Sequence, residues 1–269
     1  MSNLRNGVGD IIEFFEPIIR SVETYVYDGD DTDQFWEFLK RGIVKRQFES
    51  IKAILNMVDS GFGHFGVTLL RPAYEELVWV EYLDQNAEIA NELVILLSNH
   101  DIARNLSAQN DYIGAKEMLA GGFSQRYVKV CLARDRITKK RIKEIGSQLG
   151  WREGAIPPSM AFLSGKVGRL PEYRFLYQGT SRFVHFSTGE ILRRVWGKSG
   201  EVTIGSTSFS SYWQEFAMYW SFRIFGQLIS PCIDIFDEFD ISDRKLQEML
   251  NLIGSLRPIP IITPQELNI

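Results

Sequence analysis

Cysteine, histidine and net charge are all scarce in this 269-residue sequence, and each scarcity excludes a class of protein. Two cysteines, Cys131 and Cys232, cannot form a disulfide framework and do not have a metal-ligand spacing. With only three histidines and no repeated Glu-x-x-His pattern, we expect neither a metal ion nor another cofactor. A net charge of −4 gives the whole chain no field that attracts nucleic acid or an anionic membrane. Phosphate-binding glycine loops, nucleophile elbows and His-Glu-x-x-His pairs are absent as well.

Long apolar runs and targeting segments are also missing. The most apolar stretch, residues 216–236, is interrupted by an arginine, a glutamine, a proline and an aspartate, whereas a membrane span needs about 20 mostly apolar residues. The first ten residues are polar and lack the basic-then-apolar order of a signal peptide. We therefore expect no membrane partner and a cytoplasmic location.

Apolar residues recur at three- and four-residue steps along most of the chain, which predicts an all-α protein. Turn residues divide this pattern into a bundle of about seven to nine helices, and the length suits a single helical domain over residues 1–269. Pro72 stands inside one helical pattern, where its ring clashes with the carbonyl of Thr68, so we expect a bent helix. Two sub-bundles would meet in the proline- and glycine-rich stretch 150–171.

Two segments depart from the helical pattern. Residues 201–209 combine a β-branched run with a Gly/Ser loop, which predicts a short strand or β-hairpin. Residues 254–269 contain Pro258 and Pro260, and each proline biases its predecessor away from helix, so we expect an extended C-terminal tail.

One face of the helix that ends at His185 is the first candidate site. Ordinary solvated faces use mostly Lys and Glu, whereas this one offers groups that hydrogen-bond, bind anions and, at His185, exchange protons near neutral pH. Both a functional cleft and a structural polar seam between helices fit the pattern, and both alternatives stay open. At about 100° per residue, six side chains fall within one arc of roughly 140°: Arg174, Tyr177, Gln178, Ser181, Arg182 and His185.

Arg71 and Glu75 are the second candidate pair. They are four residues apart on one helix face, where an ion pair can form. Their neighbours are strongly apolar, so we expect the pair to be partly buried. Either the pair stabilises helix packing around Pro72, or Arg71 reaches the face of His185 and holds an anion there.

Residues Arg126–Lys143 form the third candidate, because this segment contains eight basic residues and one acidic residue and is locally +7. Such a density predicts contact with RNA or a nucleotide through the phosphate groups. Tyr127 is the one aromatic residue available for base stacking, which weakens a single-strand interpretation. An ordinary solvated helix face is the alternative.

Two of these segments resemble signatures of an uncharacterised helical family, domain of unknown function five-six-seven-seven. Leu-Leu-Arg71-Pro-Ala-Tyr-Glu75-Glu-Leu resembles the first signature, and Tyr177-Gln-Gly-Thr-Ser181-Arg-Phe-Val-His185 resembles the second, a Tyr-x-x-x-Ser-x-x-x-His step. The resemblance covers about residues 42–186. It implies a helical fold and no established activity.

The same segments are distantly similar to the HEPN group, helical proteins that often act as metal-independent ribonucleases at a dimer cleft. The resemblance implies a homodimer in which His185 acts as acid or base and Arg182 or Arg71 stabilises charge. Tyr177 or Ser181 would orient the phosphate, and the binding surface would be completed by Glu75, Arg174 and Gln178. Arg182 stands only three residues before His185, which is closer than the Arg–His spacing of that group.

Three functions therefore stay open. The first is an interaction or regulatory module in which Arg71, Glu75, Tyr177 and His185 form a polar network between helices. The alternative is a HEPN-like ribonuclease or nucleotide-binding protein of a defence or toxin system. A small-ligand pocket lined by aromatic residues is the third.

Overall fold

A computed structural model describes residues 2–23, 34–152, 155–192, 194–205, 210–236 and 251, and it omits the side chains of residues 2–7, Gln178, Trp196 and Lys198. Apart from one two-stranded hairpin, the regular secondary structure of the described residues is helical. This result confirms the predicted all-α fold. The predicted tail 254–269 lies outside the described residues. The helices are α1 Ser2–Val22, α2 Phe35–Asp59, α3 Val67–Asp84, α4 Ala87–Ala120, α5 Gln125–Gln148, α6 Met160–Lys166, α7 Leu170–Glu172, α8 Gln178–Val184, α9 Thr188–Leu192, α10 Ser210–Ile229 and α11 Ile233–Phe236.

The centre of the main core is formed by α2, α3 and α10. Apolar side chains surround α10 on most of its faces, as expected of a helix that is buried rather than amphipathic. A short 3-10 turn, Gly63–Gly66, leads into α3 and packs closely against α10. A Cβ atom on Gly66 would lie 3.0 Å from Ile54 of α2 and 3.2 Å from Ala217 of α10. Glycine is therefore needed here to let the three helices approach.

Helix α3 continues through Pro72 as one element from Val67 to Asp84. Its buried Tyr74 hydroxyl donates to the carbonyl oxygen of Arg169 at 3.1 Å, and it therefore accepts from Ser164 Oγ of α6, also at 3.1 Å. These contacts hold α6 and the start of α7 against α3. They position the following segment, which carries the predicted site.

Helices α4 and α5 form an antiparallel pair that extends beyond the main core. Three side-chain contacts set its register: Arg141 with Glu92, His100 with Asp135, and Gln125 with Asn110. The half near the body of the protein joins the main core, whereas the distal half has a small separate cluster of buried side chains, Leu106, Met118 and Val128. We call residues 95–140 of this pair the arm.

The segment from Leu170 to Val184 follows one helical path with a π turn at Tyr173–Tyr177 between α7 and α8. A π turn adds a residue to the helical repeat, so side chains before and after it do not follow one 100° progression. His185 ends the helix in an extended conformation, with φ −108° and ψ 159°. The predicted helix end at this histidine is therefore confirmed.

A hairpin follows α9, with β1 at Val195–Lys198 paired antiparallel to β2 at Glu201–Ile204. The predicted strand at 201–204 is confirmed, but its partner precedes it in the chain, and residues 206–209 lie outside the described part. Gly200, with φ +102°, supplies the turn geometry that joins the two strands. Among the described helices, none combines the length and the apolar content that a membrane-spanning segment requires.

Gly146 of α5 provides a test of this packing, because a Cβ there would lie 2.6 Å from Cε3 of Trp151. Trp151 cannot easily move, since its Nε1 donates to Tyr82 Oη at 2.8 Å in the core. We expect Gly146→Ala to lower the free energy of unfolding by about 1–3 kcal/mol. Gly165→Ala in α6 is the matched control, because no atom lies within 4 Å of its Cβ position. Urea denaturation should show this control unchanged or about 0.5–1 kcal/mol more stable; equal stability of the two variants would contradict the packing.

Candidate functional site

Arg71 of α3 lies at the centre of a polar cluster that joins α3 to α8. Its Nε donates to Glu75 Oε1 at 3.1 Å, its Nη1 donates to His185 Nε2 at 2.5 Å, and its Nη2 donates to Tyr177 Oη. We call Arg71, Glu75, Tyr177 and His185 the clasp. The two segments that the sequence singled out separately are thus in direct contact, although they are 106 to 114 residues apart in the chain.

Aromatic stacking holds the Arg71 guanidinium in place. Its Cζ lies 4.3 Å from the centroid of the Tyr177 ring, which in turn stacks on Tyr173 at 4.8 Å. A planar guanidinium can stack on a ring and donate hydrogen bonds from its edge at the same time, which a lysine ammonium cannot do. A lysine at this position could not make the same set of contacts.

Backbone interactions within α8 orient the clasp residues. Thr180 is fully buried and its Oγ1 donates to the carbonyl of Leu176 at 2.8 Å. Ser181 Oγ donates to the carbonyl of Tyr177 at 2.6 Å. The predicted site residue Ser181 therefore bonds within its own helix in this structure, and it stabilises the turn that carries Tyr177.

The protonation states of the clasp follow from its donors and acceptors. Arginine has no acceptor, so His185 Nε2 must accept the Arg71 bond, and the neutral imidazole then carries its proton on Nδ1. Burial, and secondarily the negative charge of Glu75, raise the pKa of Tyr177, so its hydroxyl is protonated at neutral pH. Because Tyr177 Oη accepts from Arg71, its own proton is left to be donated elsewhere.

Solvent reaches the clasp from one side. The His185 side chain is exposed, and the side chains of Arg71 and Glu75 are 21% and 35% exposed. Three of the five N–H groups of Arg71 are directed at the described partners, so two more remain to bind a ligand. The arrangement is a set of hydrogen-bond donors around one cation, with one carboxylate beside it.

Other predicted site residues have different surroundings. The described contacts of Arg182 are its Nε bond to the carbonyl of Gly179 at 2.9 Å and its position 5.3 Å from the Trp213 ring of α10. Arg174 is exposed, and the side chain of Gln178 lies outside the described part of the chain. Tyr177 and Arg182 stand at opposite edges of the predicted arc, and the π turn changes the phase of Arg174 relative to the residues of α8.

The basic segment Arg126–Lys143 lies on the arm, where α5 packs against α4. Part of its charge is paired within the chain: Arg141 donates to both carboxylate oxygens of Glu92, and Lys139 lies 2.9 Å from Asp135. The six other basic side chains of the segment are exposed: Arg126, Lys129, Arg134, Arg136, Lys140 and Lys143.

A second polar cluster, centred on Arg169, was not predicted from the sequence. Arg169 donates to both carboxylate oxygens of Glu81, at 2.5 Å each, and to Glu172 at 2.6 Å. It lines a cleft of about 450 Å³ together with residues of α3 and the end of α10. No local pattern signals this cluster, because Glu81 and Arg169 are 88 residues apart. Among the described residues, no group of three or more potential metal ligands is placed to hold a metal ion.

These features define an all-helical protein in which an arginine-centred clasp and a protruding helical arm accompany one large core. Residues 37–202 match the model of the family of unknown function DUF5677, and the chain belongs to that family. The match runs from α2 to β2, so it contains both the clasp and the arm. No curated protein and no solved structure matches the chain.

Tyr177→Phe tests the clasp, because it removes the hydroxyl that accepts from Arg71 and keeps the stacked ring. We expect the free energy of unfolding to fall by about 0.5–1.5 kcal/mol, the usual net value of one hydrogen bond. Tyr173→Phe makes the same change one turn earlier and should stay within about 0.5 kcal/mol of the unmodified protein. Chemical denaturation of both variants measures the difference, and equal losses would show that the Arg71 bond contributes nothing to stability.

Proposed function

We propose that the chain is a non-catalytic interaction module that binds an acidic segment of a partner protein at the clasp. The observation that carries the proposal is that Arg71 donates to Glu75, His185 and Tyr177 at the same time, which fixes the position of the cation at a partly exposed site. These bonds leave two N–H groups of Arg71, the Tyr177 hydroxyl and His185 Nδ1–H as further donors. Preorganised donors bind a carboxylate without the entropic cost of ordering flexible side chains.

The charge of the clasp favours a carboxylate over a phosphate. Glu75 lies 3.1 Å from Arg71, so the arginine charge is already partly balanced. Because the one cation of the clasp is already paired, a carboxylate with a single charge leaves less uncompensated negative charge at this site than a phosphate with nearly two charges would. Charge-assisted bonds from a guanidinium to a carboxylate are shorter and about twice as strong as neutral ones, which suits recognition at a half-exposed site.

Binding fits the clasp better than RNA cleavage does. Cleavage without a metal needs a base, an acid and cations that stabilise the charged transition state. Here the one histidine uses its Nε2 to accept from Arg71, and the one cation of the clasp stands beside a carboxylate. A cytoplasmic site of action is part of the proposal, and the free thiols of Cys131 and Cys232 are in keeping with a reducing compartment.

His185 is a natural reporter for the binding experiment, because the other two histidines are buried, His64 at 6% and His100 at 5% exposure. We expect a blocked hexaglutamate peptide to shift the imidazole NMR signals of His185 in a saturable way.

Arg71→Gln should weaken this binding about tenfold or more, since a lost bond to a charged group costs about 1.5–3 kcal/mol. Exposed Arg174 on the neighbouring helical turn supplies the matched control, and Arg174→Gln should bind as the unmodified protein does.

The signals of His64 and His100 report whether each variant keeps its fold during the same titration. Saturable binding that Arg71→Gln leaves unchanged would overturn the clasp as the binding site. Inorganic phosphate that binds more tightly than the peptide would overturn the choice of a carboxylate ligand.

Incubation with single-stranded RNA distinguishes the module from the ribonuclease alternative. We expect the purified protein to leave the RNA intact in the presence of a chelator. Cleavage that disappears in a His185→Ala variant would contradict the proposed function and favour the nuclease.

A further inference from the structure

One face of α4 within the arm carries an apolar stripe that the fold of the single chain does not cover. Ile95, Ile102 and Ile113 follow one another at steps of seven and eleven residues, so they lie on one side of the helix. Ile102 is 62% exposed and Ile113 is 44% exposed. This stripe is separate from the seam toward α5, which contains His100 and Ala103.

Helix α5 carries a corresponding stripe. Phe123, in the turn before the helix, is followed by Tyr127, Val130 and Ile137 at steps of four, three and seven residues. Ile137 is 73% exposed and Tyr127 is 52% exposed. The buried seam of α5 lies elsewhere on the helix, at Val128 and Asp135.

Both stripes lie on the same side of the arm. On each helix, the stripe points roughly 100° away from the buried seam, measured around the helix axis with a rotation of about 100° per residue. Viewed along the chain direction, the rotation from seam to stripe has the same sense in both helices. Since the two helices run antiparallel, equal rotations of the same sense point to one side of the pair. We call the residues of the two stripes together the apolar face of the arm.

The arm has little core of its own to compensate for this exposure. Its separate cluster contains three buried side chains, Leu106, Met118 and Val128. An exposed apolar face with a heptad-like spacing on two helices is half of a four-helix bundle. Large apolar patches of this kind commonly mark protein–protein contacts.

We propose that the apolar face of the arm packs against the same face of a second copy of this chain, to form a four-helix bundle. The α4 stripe is roughly 27 Å long from Ile95 to Ile113, from a rise of 1.5 Å per residue, and the face is about 20 Å wide for two helices. Each copy would thus bury roughly 540 Å², so the two copies together would bury about the 1,000 Å² expected of a biological interface. Each apolar stripe would then contact a stripe of the partner copy.

Charge selects the orientation of the two copies. Helix α4 carries five acidic and two basic residues, whereas α5 carries eight basic and two acidic residues. Pairing α4 of one copy with α5 of the other is therefore attractive, and pairing like helices is repulsive. This orientation makes the two arms parallel, with their tips together.

The inference does not depend on the proposed function, because it uses no residue of the clasp. Its first test is the mass of the full-length protein by analytical ultracentrifugation over a range of concentrations. We expect a dimer that Ile102→Arg and Ile137→Arg each weaken by ~100-fold or more, since each variant buries an unpaired charge in the interface. Ala108→Arg places the same side chain on the far side of α4, and this control should remain dimeric.

Circular dichroism and thermal melting show whether each variant is folded, and we expect little change because the altered side chains are exposed. A monomeric unmodified protein at high micromolar concentration would overturn the second copy as the partner. Dimers that both Ile→Arg variants retain would overturn the apolar face as the interface.

The orientation has its own test. A spin label on Ala120→Cys, at the tip of the arm, is combined with Cys131→Ala so that the buried Cys232 is the one other thiol. Parallel arms should place the two labels roughly 20 Å apart or less, whereas antiparallel arms would separate them by roughly 50 Å. The longer distance would overturn the pairing of α4 with α5.

Discussion

Helix α3 is packed against several neighbouring helices, so its buried polar side chains need hydrogen-bond partners, and several of these partners lie on other elements. Tyr74 meets α6, Glu81 binds Arg169, and Tyr82 accepts from Trp151. Arg71 meets α8 in the same way. These polar contacts determine which segments lie beside α3 and in what orientation, and the arrangement of the candidate site follows from them.

The clasp and the arm divide the molecule into two surfaces with different physical character. At the clasp, a cation is held by a carboxylate, a phenol and an imidazole, so the surface offers directed hydrogen bonds. Along the arm, apolar side chains are exposed in two parallel stripes, so association there depends on excluding water. A dimer formed through the arm would therefore leave the clasp of each copy to bind a partner separately.

Local spacing predicted several features correctly, and the exceptions have identifiable causes. The Arg71–Glu75 pair is an i,i+4 contact within one helix, which periodicity alone predicts. The six-residue arc before His185 assumed an uninterrupted α-helix, but the π turn at Tyr173–Tyr177 changes the phase of Arg174 relative to the residues that follow it. Nothing local distinguishes a π turn from an α turn, because packing of the neighbouring helices decides which hydrogen bonds form. The Arg169 cluster was missed for a related reason, since its partners are far apart in the chain.

By itself, the sequence determined the all-α fold, the helix end at His185, the strand at 201–204 and the membership of the DUF5677 family. These properties depend on neighbours within a few turns of the chain or on short motifs. Only the tertiary structure decided that Arg71 binds His185 and that α4 and α5 pack together as the arm. Contacts between residues 114 positions apart depend on how whole helices pack, and that is a property of the complete core rather than of any segment.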